Sequence, residues 1–189
     1  MKIYFSISFI SMFFWIFPFV RQYKTDLFWY FFVLGLADPF VLIFYNVNPA
    51  LPMNFIMSFL MLLSLVYKTN SKRLALAFII FSFALLSIYV ANPYSPYYLK
   101  FILIHSVIIY IFFKRTIIFT AANRKLNLFH IFLLLEEISM FLKVIFPLFN
   151  IMHAIEFFQI TIIFEYLLAI FFSFYREDDE RIQIKLRHN

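Results

Sequence analysis

The sequence predicts an all-α integral membrane protein, a bundle of seven transmembrane helices with the N-terminus outside and the C-terminus cytoplasmic. Hydrophobic residues make up 65% of the 189 residues and charged residues only 14%, whereas about a quarter of the residues in soluble proteins are charged. Apolar runs of roughly 20 residues are long enough to cross a bilayer. The seven runs are Ile3–Val20, Leu27–Tyr45, Leu51–Tyr67, Leu74–Ala91, Tyr97–Phe113, Leu128–Phe149 and Ile155–Tyr175.

The orientation of the bundle follows from the positive charges between the runs, which occur only in alternate gaps. Gaps 46–50, 92–96 and 150–154 contain no Lys or Arg. Short loops rich in Lys and Arg stay on the cytoplasmic side of a membrane. The cationic gaps and the tail are therefore predicted to be cytoplasmic. They hold Arg21, Lys24, Lys68, Lys72, Arg73, Lys114, Arg115, Arg124, Lys125, Arg176, Arg181, Lys185 and Arg187.

The individual runs have features that support this assignment. The first is too long for the apolar core of a signal peptide and ends without a small-residue cleavage pattern, so it counts as a span. The second contains Asp38–Pro39, which predicts either a kinked span or a broken helix capped by the aspartate. Proline and asparagine in the three uncharged gaps are typical of helix ends.

The chain divides into a seven-helix transmembrane domain, residues 1–175, and a short charged cytoplasmic tail, residues 176–189. The tail either docks on the bundle, on lipid or on a partner, or it is solvated. Residues 26–45 align weakly with 127–146, which would pair spans one to three with spans five to seven. That plan resembles the topology of the SWEET and other PQ-loop transporters, but the chain has no Pro–Gln pair.

Ionisable residues inside the spans are the candidate site. Each costs roughly 2.5–3.5 kcal/mol near the bilayer centre on insertion scales, so such residues mark functional positions or buried pairs. Depth along each helix, at 1.5 Å per residue, places them in the middle and outer half of the bundle. The candidate ligand- or ion-binding residues are Asp38, His105, Glu136, Glu137, Lys143, Glu156, Gln159 and Glu165.

We expect these side chains to surround one cavity. Glu136, Glu137 and Glu165 would bind a cation or a proton, with Lys143 as the internal counter-charge. By depth, the partner of Lys143 would be Glu156 or Asp38, and Asp38, His105 and Glu156 would line the outer entrance. The competing interpretation is a structural ion pair that locks two helices together.

Adjacent Glu136–Glu137 and Phe101-x-x-x-His105 resemble the E-E-x-x-x-R and F-x-x-x-H motifs of CPBP-type intramembrane proteases. Their order is reversed here and Phe141 stands at the arginine position, so the chain is not assigned to that family. His153 and Glu156, with His105 or Glu137, have ligand types that suit zinc, but no H-E-x-x-H motif occurs. We therefore expect no metal and no cofactor.

Three functions remain open at this point. The leading hypothesis is a non-enzymatic ligand-, ion- or proton-handling bundle, transport-like or sensory, with a carboxylate-lined cavity. The second is a structural subunit of a larger membrane complex, and the third is an intramembrane metal-dependent enzyme. The expected partners are the lipid bilayer and other membrane subunits or further copies of the chain, not nucleic acid. The expected location is a bacterial inner membrane or an organellar membrane.

Overall fold

The computed structural model describes residues 13–47, 53–66, 97–149 and 154–186. It confirms the all-α prediction, because the described residues are mostly helical. Each described helix overlaps a predicted run, and the fourth run, Leu74–Ala91, lies outside the described residues. The helices are α1 (13–21), α2 (Phe28–Val47), α3 (Met53–Val66), α4 (Tyr97–Asn123), α5 (Leu128–Leu148) and α6 (Ala154–Phe174).

One helical segment among the described residues, Phe101–Asn123, is long and apolar enough to cross a membrane by length and composition. Shorter apolar helices cover Phe28–Phe44, Met53–Val66 and Gln159–Phe174. The fold is thus a helical protein with one candidate membrane span. The α2 helix continues through Pro39 without interruption, so Asp38–Pro39 does not break it.

The α4 helix extends beyond its predicted end at Phe113 by ten residues, to Asn123. Charge alone does not end a helix, and the cations of this segment are good helix formers. The helix ends where Arg124 adopts a left-handed backbone conformation, φ 51°. At 1.5 Å per residue, the extension carries α4 about 15 Å further than the apolar run predicts.

A two-stranded ribbon joins the loop after α4 to the tail, which the all-α prediction did not include. Strand β1 (Lys125–Asn127) pairs antiparallel with β2 (Gln183–Lys185), and Leu126 lies opposite Ile184. A turn of 3-10 helix, Glu180–Ile182, precedes β2 and buries Ile182. The described part of the tail therefore folds back onto the helices. Strands of three residues are too short for their alternation to be visible in a sequence.

Aromatic side chains fill the core between α2, α5 and α6. The rings of Phe31, Phe129 and Phe172 are each buried, and their centroids lie 4.9–5.9 Å apart in edge-to-face contacts. Such contacts are favoured because the positive edge of one ring meets the negative face of another. The α4 helix packs against α3 and α5, α2 packs against α3, and α5 packs against α6. The α5 helix is therefore covered on two sides.

Burial does not support the weak internal alignment of 26–45 with 127–146. Phe31 is fully buried, whereas its aligned partner Phe132 is only half-buried. Leu34 is buried, whereas its aligned partner Leu135 is exposed. A true repeat would place equivalent residues in equivalent environments, so these matches reflect the abundance of Leu and Phe in the chain.

Gly35 of α2 lies close against the backbone of α1. A Cβ atom at this position would lie 2.6 Å from the backbone oxygen of Trp15 and 3.3 Å from the ring of Phe19. Real Cβ atoms do not approach a backbone oxygen so closely, and a backbone atom cannot move aside as a side chain can. The chain's only glycine is thus required by packing between two helices.

We expect Gly35→Ala to lower the free energy of unfolding. Overpacking costs about 1–3 kcal/mol and alanine gains about 1 kcal/mol of helix propensity over glycine, which leaves a net loss of about 1 kcal/mol. The measurement is thermal or denaturant unfolding of the purified protein in detergent. The control is Ala121→Val, which enlarges an exposed side chain on α4. Equal stability of Gly35→Ala and wild type would contradict the close approach.

Candidate functional site

Four polar side chains from four helices meet in the core. Tyr30 comes from α2, Ser58 from α3, His105 from α4 and Glu137 from α5. Their exposed fractions are 1%, 4%, 0% and 0%. A buried polar group destabilises the fold unless it is hydrogen-bonded. These four side chains therefore need hydrogen-bond partners inside the protein.

The four side chains form a continuous chain of hydrogen bonds. The Tyr30 hydroxyl donates to Glu137 Oε1. Glu137 Oε2 lies 2.7 Å from His105 Nδ1, and His105 Nε2 lies 3.0 Å from Ser58 Oγ. The Ser58 hydroxyl in turn donates to the carbonyl oxygen of Asn54, 2.9 Å away and one turn earlier in α3. Every polar atom of Glu137 and His105 therefore has a partner.

Counting hydrogens along this chain gives its charge. Ser58 has one hydroxyl hydrogen, which goes to Asn54, so Ser58 Oγ accepts from His105 Nε2 and that nitrogen carries a hydrogen. One further proton lies between His105 Nδ1 and Glu137 Oε2. Placed on nitrogen it makes an ion pair, and placed on oxygen it makes a neutral acid beside a neutral imidazole. The pair has no net charge in either form, which suits a buried position.

The order serine, histidine, carboxylate is also that of a nucleophilic triad. An activated serine gives its hydrogen to the imidazole, which acts as the general base. Here the Ser58 hydroxyl gives its hydrogen to the Asn54 carbonyl, and the side chain is buried. The described geometry is therefore not that of an activated nucleophile, and we call the four hydrogen-bonded side chains the relay.

Packing holds the His105 ring in place. The Phe101 ring, one turn earlier in α4, stacks on the imidazole with centroids 4.0 Å apart. The Phe112 ring meets the Tyr30 ring edge to face at 5.1 Å. The stacked Phe101 ring and the hydrogen bonds to Glu137 and Ser58 together orient the imidazole.

A second polar group lies on another face of α5. Glu136 is 2% exposed, and its Oε2 atom has no hydrogen-bond partner among the described residues. One turn along α5, Ser139 is also buried. Lys143, a further turn along, forms an ion pair with Glu165 of α6, and both side chains are largely buried. The charges of Glu165 and Lys143 both act on Glu136.

The eight residues singled out from the sequence fall into different places. His105 and Glu137 belong to the relay, while Glu136, Lys143 and Glu165 form the second group. Asp38 is exposed on α2, close enough to Lys143 for their charges to interact. At the start of α6, Glu156 is exposed and Gln159 half-buried. Lys143 forms an ion pair with Glu165, and helix depth estimated from the sequence did not single out that partner.

Sequence reasoning missed Tyr30 and Ser58, the two ends of the relay. The chain has 12 tyrosines, and tyrosine and serine occur freely in apolar runs, so neither stands out. Helical periodicity could have identified Ser58. It shares a face of α3 with the buried Phe55, Met61 and Leu62, and it is the polar residue among them.

A third polar network closes the end of the bundle that carries the positive loops. Glu177, from the tail, forms an ion pair with Arg115 of α4 and lies 3.0 Å from His130 Nε2. Its backbone nitrogen donates to the buried Gln22, and Asn127 Nδ2 donates to its carbonyl oxygen. One tail residue thus contacts the loop after α1 and both helices that flank β1.

A polar cavity of about 450 Å³ adjoins this network. His130, which lines it, is 3% exposed, and its Nδ1 atom has no hydrogen-bond partner among the described residues. Backbone and side-chain groups from two loops and the tail complete the wall. The lining residues are Lys24, Thr25, Asp26, Phe119, Asn127, His130, Glu177, Asp178 and Gln183.

Asp179 caps the 3-10 turn of the tail. Its carboxylate accepts from the backbone nitrogen of Arg181 at 3.0 Å and pairs with the guanidinium of the same residue. Hydrogen bonding to the Arg181 side chain lowers the pKa of Asp179 to about 2. Because the folded pKa lies below its ordinary value, the interaction is present at neutral pH and is lost only as the pH falls toward 2.

Among the described residues, no group of three or more His, Asp or Glu is arranged to hold a metal ion. His153, part of the metal hypothesis, lies outside the described residues. Comparison of the chain with protein-family models, with curated proteins and with solved structures finds no match. A function for this chain is therefore inferred from the geometry of its polar groups.

The Lys143–Glu165 pair gives a test of the second group. Removing one partner of a buried pair costs about 3–5 kcal/mol because it leaves an uncompensated charge. We expect Lys143→Met to lose about 3 kcal/mol of unfolding free energy, and Lys143→Met/Glu165→Gln to recover part of that loss. The measurement is a double-mutant cycle by denaturant unfolding in detergent. Strictly additive losses would show that the two side chains do not interact.

Proposed function

We propose that this chain is a proton-handling membrane protein that carries protons through the Tyr30–Glu137–His105–Ser58 relay. The proposal includes a seven-span bundle in the lipid bilayer, with the N-terminus outside and the C-terminus in the cytoplasm. The supporting observation is the continuous hydrogen-bond chain across four helices, made entirely of groups that can exchange protons. Buried ionisable chains of this kind are typical of proton pathways in membranes.

The number of protons on the relay stays constant when one proton enters at Tyr30 and one leaves at Ser58. The hydroxyl hydrogen of Tyr30 passes to Glu137, and the shared proton settles on His105 Nδ1. The Nε2 hydrogen passes to Ser58, whose hydroxyl turns away from the Asn54 carbonyl and gives its own hydrogen to water on the outer side. Tyr30 then receives the incoming proton. Each hydrogen moves by one link, so no isolated charge has to be buried at the centre.

The two ends of the relay differ in their surroundings. Tyr30 lies one turn after Asp26, which lines the polar cavity with His130 and Glu177. Titratable groups at that cavity could deliver protons from the cytoplasmic side. Ser58 lies in the first half of α3, which the charge pattern places toward the outside. The relay therefore lies in the middle of the proposed membrane, where a proton has no water to carry it.

The proposed orientation can be measured directly because the chain contains no cysteine. Single cysteines at Asn92→Cys and Lys72→Cys are expected on opposite sides. A membrane-impermeant maleimide applied to intact cells should label position 92, and it should label position 72 only after permeabilisation. Labelling of both positions, or of position 72 alone, in intact cells would overturn the proposed topology.

Proton flux is the test of the function. In proteoliposomes carrying a pH-sensitive dye and an imposed pH gradient, wild-type protein should dissipate the gradient faster than empty vesicles. His105→Ala and Tyr30→Phe should lower the protein-dependent rate by roughly a hundredfold, because each removes a group that transfers a proton. Glu180→Gln, a change to an exposed residue of the tail, is the matched control and should keep the wild-type rate.

Folding and function have to be separated in this experiment. Tyr30→Phe removes a single oxygen from an aromatic core position, so the variant should remain a monodisperse folded protein in detergent. If wild type conducts no protons while Tyr30→Phe unfolds more easily, the four residues tie helices together and do not form a pathway. Equal flux in wild type and Tyr30→Phe would also refute the relay.

A further inference from the structure

An open groove runs between α1 and α6 at the end of the bundle that carries the tail. It has a volume of about 380 Å³. Its apolar walls are exposed or half-buried: Phe14, Phe17 and Val20 come from α1, and Ile170 and Phe174 come from α6. The Phe17 and Phe174 rings are 59% and 68% exposed. Exposed apolar patches mark contacts with a membrane or another molecule, so the groove suits an apolar occupant.

One cation, Arg21, lies at an end of this groove. It is the last residue of α1, it is exposed, and its Nε donates to the carbonyl oxygen of Phe174 at 3.3 Å. That bond uses one of the five N–H groups of the guanidinium, and the other four belong to its two terminal nitrogens. Within the described part of the chain, no carboxylate forms an ion pair with Arg21. The guanidinium is therefore positioned by the end of α6 and can still bind an anion.

The acidic residues of the tail are bonded to other arginines. Asp179 is close enough to Arg21 for their charges to interact, but its carboxylate is hydrogen-bonded to the guanidinium of Arg181. Glu180 is exposed and forms no ion pair with Arg21 in the described structure. The other two tail carboxylates form the ion pairs Glu177–Arg115 and Asp178–Arg176. An anion at Arg21 would therefore not have to displace a carboxylate.

The order of these groups along the groove matches the parts of an anionic phospholipid. The proposed topology places Arg21 at the cytoplasmic end of α1, and at 1.5 Å per residue Phe14 lies about 10 Å deeper in the membrane. A guanidinium binds phosphate oxygens through two parallel N–H bonds, while the phenylalanine rings suit an acyl chain. Ser173, the other polar lining residue, donates its hydroxyl hydrogen to the Ala169 carbonyl at 2.6 Å, so it offers no hydrogen to a ligand.

We propose that Arg21 and the groove between α1 and α6 bind an anionic phospholipid of the cytoplasmic leaflet. Its phosphate would lie on Arg21, and one acyl chain would run along Phe17, Phe14 and Ile170. Anionic lipids of that leaflet attract basic residues next to a membrane span. The inference rests on the membrane placement in the proposed function and not on the relay. No residue of the relay lines the groove, so lipid binding and proton flux can fail separately.

The experiment is native mass spectrometry of the full chain, titrated in detergent with phosphatidylglycerol or phosphatidylcholine carrying the same acyl chains. Both lipids have a phosphate, but the choline cation cancels its charge. Wild type should bind phosphatidylglycerol about fivefold more tightly, because one basic residue near an anionic headgroup contributes about 1 kcal/mol. Arg21→Gln should remove this preference. The matched control, Lys114→Gln, removes an exposed cation of α4 on the same predicted side and should keep the wild-type ratio.

A second variant tests the part of the site that would hold the acyl chain. Ile170 is 37% exposed, so Ile170→Trp can fill part of the groove without entering the core. It should weaken the binding of both lipids severalfold and leave their ratio unchanged. In wild type, concentrated ammonium acetate should reduce the preference for phosphatidylglycerol, because salt screens an exposed charge. This last measurement needs no variant, so it holds even if Arg21→Gln does not fold.

The inference is overturned if wild type binds the two lipids equally, if salt or Arg21→Gln leaves the preference unchanged, or if Ile170→Trp binds both lipids as wild type does. Glycerol 3-phosphate, which has no acyl chain, would overturn it by competing as well as phosphatidylglycerol. Lipid preference without proton flux would keep this site and refute the relay, whereas flux without lipid preference would do the reverse.

Discussion

The buried carboxylate of Glu137 needs hydrogen-bond donors, and this need determines how four helices pack together in the described structure. A carboxylate with no exposed surface must find hydrogen-bond donors inside the protein. Its donors come from α2 and α4, and the histidine that serves it requires Ser58 from α3 in turn. The hydrogen bonds around Glu137 therefore fix the rotation and the depth of four helices relative to one another. Apolar contacts alone are less directional and would allow the helices to slide.

The neighbouring glutamates Glu136 and Glu137 are both buried, on two faces of α5. Adjacent residues on a helix point about 100° apart, so both can be buried only if the helix is covered on two sides. The α5 helix meets α4 on one side and α6 on the other, and Glu137 and Glu136 serve those two contacts. A small rotation of α5 would change both environments at once.

The sequence predicts the helices well because the apolar runs are long and are separated by short polar segments. It does not predict the α4 extension, since Lys114 and Arg115 end the apolar run without ending the helix. In the site, His105 and Glu137 stand out as ionisable groups in apolar runs. Tyr30 does not stand out, and the pairing of Lys143 with Glu165 depends on how α5 and α6 face each other, which one helix alone does not encode.

The relay is asymmetric, and the asymmetry gives each end a different part in the proposed function. At the end of the bundle that carries the tail, Glu177 contacts Arg115 and His130 beside a polar cavity, and Tyr30 is the end of the relay nearer to it in sequence. On the other side, the relay ends at a serine whose hydrogen is held by the Asn54 carbonyl. A proton can leave there only if the Ser58 hydroxyl rotates away from that carbonyl. Rotation of one side chain in α3 is therefore the step at which such a pathway would be gated.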